Sequence, residues 1–391
     1  MRGEIGFAVI ILAAALAIDG VIIAATIASW SALVPDFFAF WSTALFLQTH
    51  RAAAAYDLIA LASFQQNLLA RFTAAYPAPY SPIFLLAIHP LAWLDYASAY
   101  LAWVGLTGAA FFLAARPLFR HPAWLIALLL APAIVLNAVY GQTGFLSGAL
   151  MLGALVLMER RPWSAGLCLA LLAFKPQLGL IMPIVLLARR DWASIGAGLV
   201  WLAGLILVSS ALLGPSIWLD WLHTITGHAS LIADSQHHLL PIMATVTAGA
   251  RLLGAPILLA QLAQAMVALA VMATVWTAWR GAERPLALAI TLVGAFLVTP
   301  YAFTYDLPAA MCGALVFLHW LRGRAQPAKI SGLELGAVLL ALLAPLFIFT
   351  DSSVLPMVPL SLLILFASMA RHVWSGANSA SGAQPLFQQP P

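Results

Sequence analysis

The stretch WASIGAGLVWLAGLILVSSALL, residues 192–213, contains no charged side chain and directly follows Arg189, Arg190 and Asp191. Coiled as a helix it would rise about 33 Å, enough to cross the ~30 Å hydrocarbon core of a bilayer. Outward from it, similar apolar runs fill the chain at 5–29, 82–115, 123–140, 145–158, 257–277, 286–299, 307–321, 333–349 and 355–369. Across 391 residues, 64% are hydrophobic and 8% charged, whereas an average soluble domain is about half apolar and about a quarter charged. The mean hydropathy is +1.00. No water-soluble fold covers that much apolar surface. The chain reads as an all-α polytopic membrane protein.

Seventeen basic against thirteen acidic side chains give a net charge of +4 and a pI near 9.3. In a soluble protein that balance would hint at nucleic acid, but no nucleic-acid partner is expected here. The basic residues fall in short clusters between apolar runs: Arg116/Arg120, Arg160/Arg161, Arg189/Arg190, Arg280/Arg284, Arg322/Arg324/Lys329 and Arg371. Such clusters mark cytoplasmic turns and set orientation. Cys168 and Cys312 both lie within apolar runs, so they read as packing residues rather than a disulfide framework. The run 5–29 is longer than a signal-peptide core of about 7–15 residues and reads as an uncleaved first span. Asp19 within it must face protein or water.

With Arg2 inside, residues 31–80 form a first extracytoplasmic loop of about 50 residues, a length that is usually functional or disordered. Its aromatic content favours function, and helical spacing over 60–72 suggests a short helix lying on the membrane. The next run, 82–115, has a polar break at Asp95. About ten to twelve transmembrane or re-entrant helices are expected, at about 20 apolar residues per full crossing. They make one integral membrane domain, 1–374, followed by a tail, 375–391, whose Ser, Gly, Ala, Gln and Pro content predicts disorder. Several segments are short or proline-interrupted. Irregular backbone at membrane depth must be buried in protein or line a water-filled cavity, so a cavity is expected. The same parity gathers the first loop, Gly141-Gln142-Thr143-Gly144, Lys175-Pro176-Gln177, the 214–240 loop and residues 299–306 on the outer side.

Several residues there could carry chemistry. Asp36 lies in Val34-Pro35-Asp36-Phe37-Phe38-Ala39-Phe40-Trp41; aromatic neighbours would desolvate the carboxylate and raise its pKa towards that of a useful base. The alternative is a helix N-cap or a solvated boundary charge. Lys175 stands in Leu171-Leu172-Ala173-Phe174-Lys175-Pro176-Gln177-Leu178-Gly179. An ammonium near a helix centre in lipid costs about 3 kcal/mol or more, and Pro176 breaks the helix beside it. Such a cation would suit an anionic ligand such as a phosphate; the alternative is a stem snorkelling to the outer interface. Asn137, Gln142 and Thr143 need polar partners in an apolar medium, whether lining a cavity or satisfying the turn. Tyr301, Tyr305 and Asp306 open another span, where tyrosines also form ordinary interfacial belts. Asp220, His223, His228, Asp234, His237 and His238 match no compact ligand spacing, so no metal site is assigned. No P-loop, G-x-G-x-x-G after a strand, G-x-S-x-G or H-E-x-x-H is present. Either the substrate is lipid-borne or there is no chemistry.

Taken in order, an outer-loop Asp beside aromatics, a Tyr-Asp pair about 20 residues on, a Tyr/Pro-rich approach to the next span, Gly-Gln-x-Gly-Phe-Leu, Glu-Arg-Arg, Ala-Phe-Lys-Pro-Gln and Thr-Pro-Tyr…Tyr-Asp resemble glycosyltransferase family 87. These are polyprenol-phosphate-mannose-dependent alpha-mannosyltransferases of the GT-C superfamily. The resemblance runs over residues 30–310, and Gly141–Leu146 with Phe174–Gln177 is its most specific part. It implies a GT-C fold in the cell inner (plasma) membrane with the site at the extracytoplasmic face. The implied donor is a polyprenyl-phosphate-linked sugar, with a lipid or glycan as acceptor, membrane lipids as surroundings and no cofactor required. Asp36 would be the general base, and Lys175 could hold the donor phosphate. Gln142, Gln177, Tyr301 and Asp306 match motif positions and, with Tyr80, would bind substrate. One position departs: relatives often have Asp-Pro-Tyr where this chain has Ala54-Ala55-Tyr56-Asp57. A non-enzymatic alternative, a transporter or flippase of an amphiphilic anion or lipid-linked sugar, also suits broken helices and an intramembrane cation.

Overall fold

The computed structural model describes residues 36–69, 75–234, 239–323, 330–349 and 355–381, with the single position Gly20; over 226–234, 348–349 and 376–381 only the backbone is described. The first span 5–29 and Asp19 lie outside the described residues. Regular structure among the described residues is helical, apart from one isolated antiparallel bridge between Met243 and Phe303.

The first described segments contribute α1 (Phe37–Thr49) and α2 (Leu58–Leu68), within the 31–80 stretch, and α3 (Pro82–Ile88), which opens the 82–115 run. Asp57 starts α2 by accepting from the Ile59 and Ala60 amides at 2.9 and 3.3 Å, so the helix runs earlier than the expected 60–72. Asp95 does the same for α4 (Tyr96–Ala115), accepting from Ala97 and Ser98 at 3.1 Å; the polar break in the 82–115 run is a helix cap. The run 123–140 bends by 55° into α5 (Ala123–Leu129) and α6 (Pro132–Tyr140), with Pro132 at the start of the second half. Then follow α7 (Gly144–Leu157), α8 (Pro162–Leu172), α9 (Met182–Arg189) and α10 (Trp192–Leu213).

The 214–240 stretch, expected as a loop, is instead α11 (Ile217–Asp234) for most of its length. Ile217, Trp221 and Ile225 recur at helical spacing and pack on the core, so one apolar face fixes the helix. The chain continues through α12 (Val246–Leu252), α13 (Ile257–Gly281), α14 (Arg284–Val298), α15 (Pro308–Gly323), α16 (Gly332–Leu343) and α17 (Met357–Ser381). The last helix runs into the segment expected to be disordered; residues 382–391 lie outside the described part.

Four described helices are long and apolar enough to cross a membrane, or five if the bent α5–α6 pair is one span. Their exposed faces are apolar: Leu106 on α4 is 73% exposed and Leu207 on α10 is 70% exposed. Such faces need lipid around them. At the centre, α14 is buried at every position from Leu286 to Val298, and α15 is buried almost throughout. A helix apolar on all sides belongs in the middle of a bundle.

Small residues let helices close without a hydrophobic drive between them. On α8, a Cβ at Gly166 would lie 2.6 Å from the Gly198 amide nitrogen of α10, a clash against backbone that cannot swing aside. Gly196, exposed on the same α10, has nothing within 4 Å. Gly166→Leu is therefore expected to lower the melting temperature of the purified protein clearly, and Gly196→Leu to leave it unchanged. Equal melting of the two variants would mean that α8 and α10 do not pack as described.

The two ends of the bundle differ in chemistry. At one end Glu159, just past α7, accepts from Arg189 of α9 at 2.9 Å and pairs with Arg284 at the start of α14. Arg189 also lies over the Trp279 ring of α13. The helices α7 and α14 then run from this arginine-rich end to the other, where Gly144 and residues 299–306 meet.

Candidate functional site

At that far end the first half of the site forms around Asp36. It stands at the N-cap position of α1, yet its side chain makes no cap hydrogen bond. The carboxylate turns instead to two donors from distant segments. Its Oδ2 accepts from Gln142 Nε2 at 2.7 Å, and its Oδ1 accepts from the Tyr76 phenol. Asp36 lies ahead of α1, outside the spanning helices. Burial pushes its carboxyl above the ordinary carboxylate range, with the Tyr76 and Gln142 hydrogen bonds pulling the other way. A buried carboxyl raised by desolvation and oriented by two neutral donors holds a proton more readily than an exposed aspartate does.

The second half is an ion pair. Pro176 ends the preceding helix, leaving Lys175 between α8 and the short turn Pro176–Gly179. Its ammonium does not snorkel to the interface: Lys175 is 2% exposed and its partner Asp306 is 0% exposed. Lys175 Nζ donates to Asp306 Oδ1 at 2.5 Å and to Thr143 Oγ1 at 3.3 Å, and lies 5.5 Å from the centre of the Tyr80 ring. Asp306 Oδ2 accepts the Phe303 amide at 3.1 Å. Two buried charges are tolerated because each is paired and further hydrogen-bonded.

Adjacent residues join the halves: Gln142 touches Asp36, and Thr143 touches Lys175. Their turn is held from behind. Trp103 Nε1 donates to the Gly141 carbonyl at 3.0 Å. Asn137 donates to the Tyr305 carbonyl at 3.0 Å and accepts the Phe145 amide at 3.2 Å. A Cβ at Gly144 would fall 2.1 Å from the Tyr305 carbonyl oxygen, so glycine there lets the turn seat against the 299–306 segment. The amides of this turn thus serve both the turn and the site, which leaves neither sequence reading of Asn137 and Gln142 alone sufficient.

Asp36, Gln142, Lys175, Asp306 and Tyr80 converge. Tyr301 sits one layer away, edge-on to Phe303 at 5.1 Å, which stacks on Tyr305 at 5.1 Å; these tyrosines form a cluster above Asp306 rather than a scattered belt. Gln177 is half-buried on the turn after Lys175, and its side chain makes no hydrogen bond among the described residues. In the departing segment, Asp57 is the α2 cap, and Tyr56 donates to the Tyr80 carbonyl at 2.8 Å. Tyr76 and Gln65 were not singled out by sequence. The signal for Tyr76 was its place in Tyr76-Pro77-Ala78-Pro79-Tyr80, whose other tyrosine was. Among the described residues, no group of three or more His, Cys, Asp and Glu could hold a metal; His237, His238 and the side chains of His228 and Asp234 lie outside them. Cys168 and Cys312 are free thiols.

The bundle, its apolar outer faces and the polar cluster at one end describe an integral membrane protein with a buried acid beside a buried cation. The glycosyltransferase family 87 model matches residues 78–301, more than half of the chain, and the protein belongs to that family. It is therefore a membrane glycosyltransferase, which goes against the transporter or flippase alternative. Searches of curated proteins and of solved structures returned no match. Asp36 precedes the matched range, so its place in the site comes from the structure.

Proposed function

We propose that this glycosyltransferase moves a hexose, mannose in the first instance, from a polyprenyl-phosphate donor to a lipid or glycan acceptor, with inversion. The observation that carries the reading is the Asp36 carboxylate, buried and oriented, beside the Lys175 cation across the Gln142-Thr143 turn. Asp36 takes the proton from the acceptor hydroxyl as its oxygen attacks the anomeric carbon. The bond to the phosphate breaks, and polyprenyl phosphate leaves with the electron pair. A base on the acceptor side gives inversion, as in inverting glycosidases. The phosphate is already a good leaving group, and a fixed cation stabilises the charge that collects on it. Lys175 supplies that cation when Asp306 shares or yields it.

The proposal includes a GT-C arrangement of about ten to twelve segments, counting short and bent helices that pack on the long spans. It puts the protein in the inner membrane with the site on the extracytoplasmic side. The arginines gathered on Glu159 at the opposite end support that orientation, since basic turns stay in the cytoplasm. No metal or other cofactor is required in this scheme.

The test is transfer of radiolabelled sugar from synthetic polyprenyl-phosphate-mannose with a membrane-lipid extract as acceptor source. Release of polyprenyl phosphate and a product of inverted anomeric configuration are expected. Use of a soluble nucleotide sugar in place of the lipid donor would overturn the donor assignment. The pH profile is a second check. Because burial raises Asp36, the base is protonated, and lost, at a pH where an exposed aspartate is still ionised. Turnover is expected to rise with pH through that elevated pKa and then level off. An acid limb at the ordinary aspartate value of about 3.9 would remove Asp36 as the base.

A further inference from the structure

The 76–80 loop is fastened with unusual completeness. Gln65 is fully buried in α2, and its amide is spent on the Tyr76 backbone: Oε1 accepts the Tyr76 amide at 2.7 Å, and Nε2 donates to the Tyr76 carbonyl at 2.8 Å. The same Nε2 donates to Ser42 Oγ of α1 at 2.9 Å. Trp221 of α11 donates to the Pro79 carbonyl at 3.2 Å, and Tyr56 donates to the Tyr80 carbonyl. Three elements therefore grip one short loop through its main chain. A buried amide is costly unless fully bonded, and two of the three bonds this one makes go to the main chain of Tyr76, the neighbour of the acid.

Resting on the reading of Asp36 as base, we infer that Tyr76 is a positioning residue for it, and that Gln65 is the clamp that sets Tyr76. The phenol holds Oδ1 while Gln142 holds Oδ2, so the carboxylate plane is fixed before the acceptor arrives. Preorganisation of this kind is worth orders of magnitude when the reacting atoms must align. A hydrogen bond to the ionised form also restrains the rise that burial causes. Among the described residues, the other titratable groups that act on Asp36 are Tyr80 on the same loop, Tyr140 at the end of α6, Lys175, and Tyr301, Tyr305 and Asp306 of the 299–306 segment.

The experiment follows protonation of Asp36 directly, by infrared titration of its carboxyl band in the full-length purified protein, the band being the one lost in Asp36→Asn. Three changes are compared with the natural chain: Tyr76→Phe, 3,5-difluorotyrosine at position 76, and Gln65→Leu. Removing the phenol is expected to move the titration upward and to lower turnover of polyprenyl-phosphate-mannose about tenfold, with donor KM unchanged. Fluorination keeps the ring's shape and makes the phenol a stronger donor, so it should move the titration downward. Gln65→Leu touches neither the acid nor a substrate and should move it upward by less than Tyr76→Phe does. If Tyr76→Phe fails to fold, the fluorinated protein carries the test. A titration unmoved by change at Tyr76 overturns the inference. If the titrations move as expected but Asp36→Asn still turns over, the holding of Asp36 by Tyr76 stands and its role as base falls.

Discussion

Asp36→Asn is expected to lower transfer from the lipid donor about 10³-fold, within the range that a positioned general base contributes. The substitution keeps the shape of the side chain and the protein should still fold. It cannot take the acceptor's proton. Its amide also presents a donor to one of the two groups, Tyr76 and Gln142, that donate to the acid, so some of the loss is lost alignment. Donor binding should survive, because the phosphate is proposed to meet Lys175 on the other side of the Gln142-Thr143 turn. Radiolabel transfer and binding of the donor, measured on the same preparation, separate the two. Activity equal to that of the natural chain would clear Asp36 of the mechanism and turn attention to Asp306.

The second large effect concerns Lys175 and Asp306. Removing either partner of a buried pair strands the other charge, at a cost of about 3–5 kcal/mol. Lys175→Met and Asp306→Asn should therefore each lower the apparent melting temperature strongly. The charge-free double variant, Lys175→Met with Asp306→Leu, should recover most of that stability, since a buried pair replaced by apolar groups is often neutral or better. Donor binding distinguishes structure from function. If Lys175 holds the phosphate, the double variant melts normally and binds no donor. Binding by the double variant at the natural affinity would reduce the pair to a structural bolt. Among the single variants, Asp306→Asn is the informative one: added donor should raise its melting temperature more than that of the natural chain, because the phosphate replaces the missing anion.

What could be read in the sequence was local. Lys175 and Asp95 announce themselves as polar residues in apolar runs, and Pro176 announces a break because proline cannot continue a helix; the bend at Pro132 inside the 123–140 run came only with the structure. The membrane class follows from composition, and membership of family 87 from short motifs such as the Gly141–Leu146 and Phe174–Gln177 segments. Pairings were less accessible. That Asp306 answers Lys175, or that Tyr76 answers Asp36, depends on how helices far apart in the chain come together, and no periodicity encodes it. The 217–234 helix escaped because its two histidines and two aspartates mask an apolar face made by Ile217, Trp221 and Ile225. Segment length was ambiguous for the same reason: α7 and α14 are short, and their place in the bundle is set by neighbours rather than by their own composition. Gln177 shows the converse, a motif position whose side chain the described structure leaves apart from the polar cluster.

The separation between Lys175 and Asp306, 131 residues, also bears on how the chain is made. At a synthesis rate of 5–20 residues per second, roughly 7 to 26 seconds pass between the two leaving the ribosome. During that interval the lysine has entered a hydrophobic segment while its counter-ion does not yet exist. The nascent protein must shelter a bare ammonium in the insertion machinery or at the water interface until α14 and the turn after it arrive. Docking of α14 and that turn is then expected to draw the ammonium inward, so that the part of the site translated last closes the part translated first. A ribosome-bound intermediate halted short of Asp306 would hold the cation exposed to the machinery, and a lysine-reactive probe would distinguish it from the finished protein.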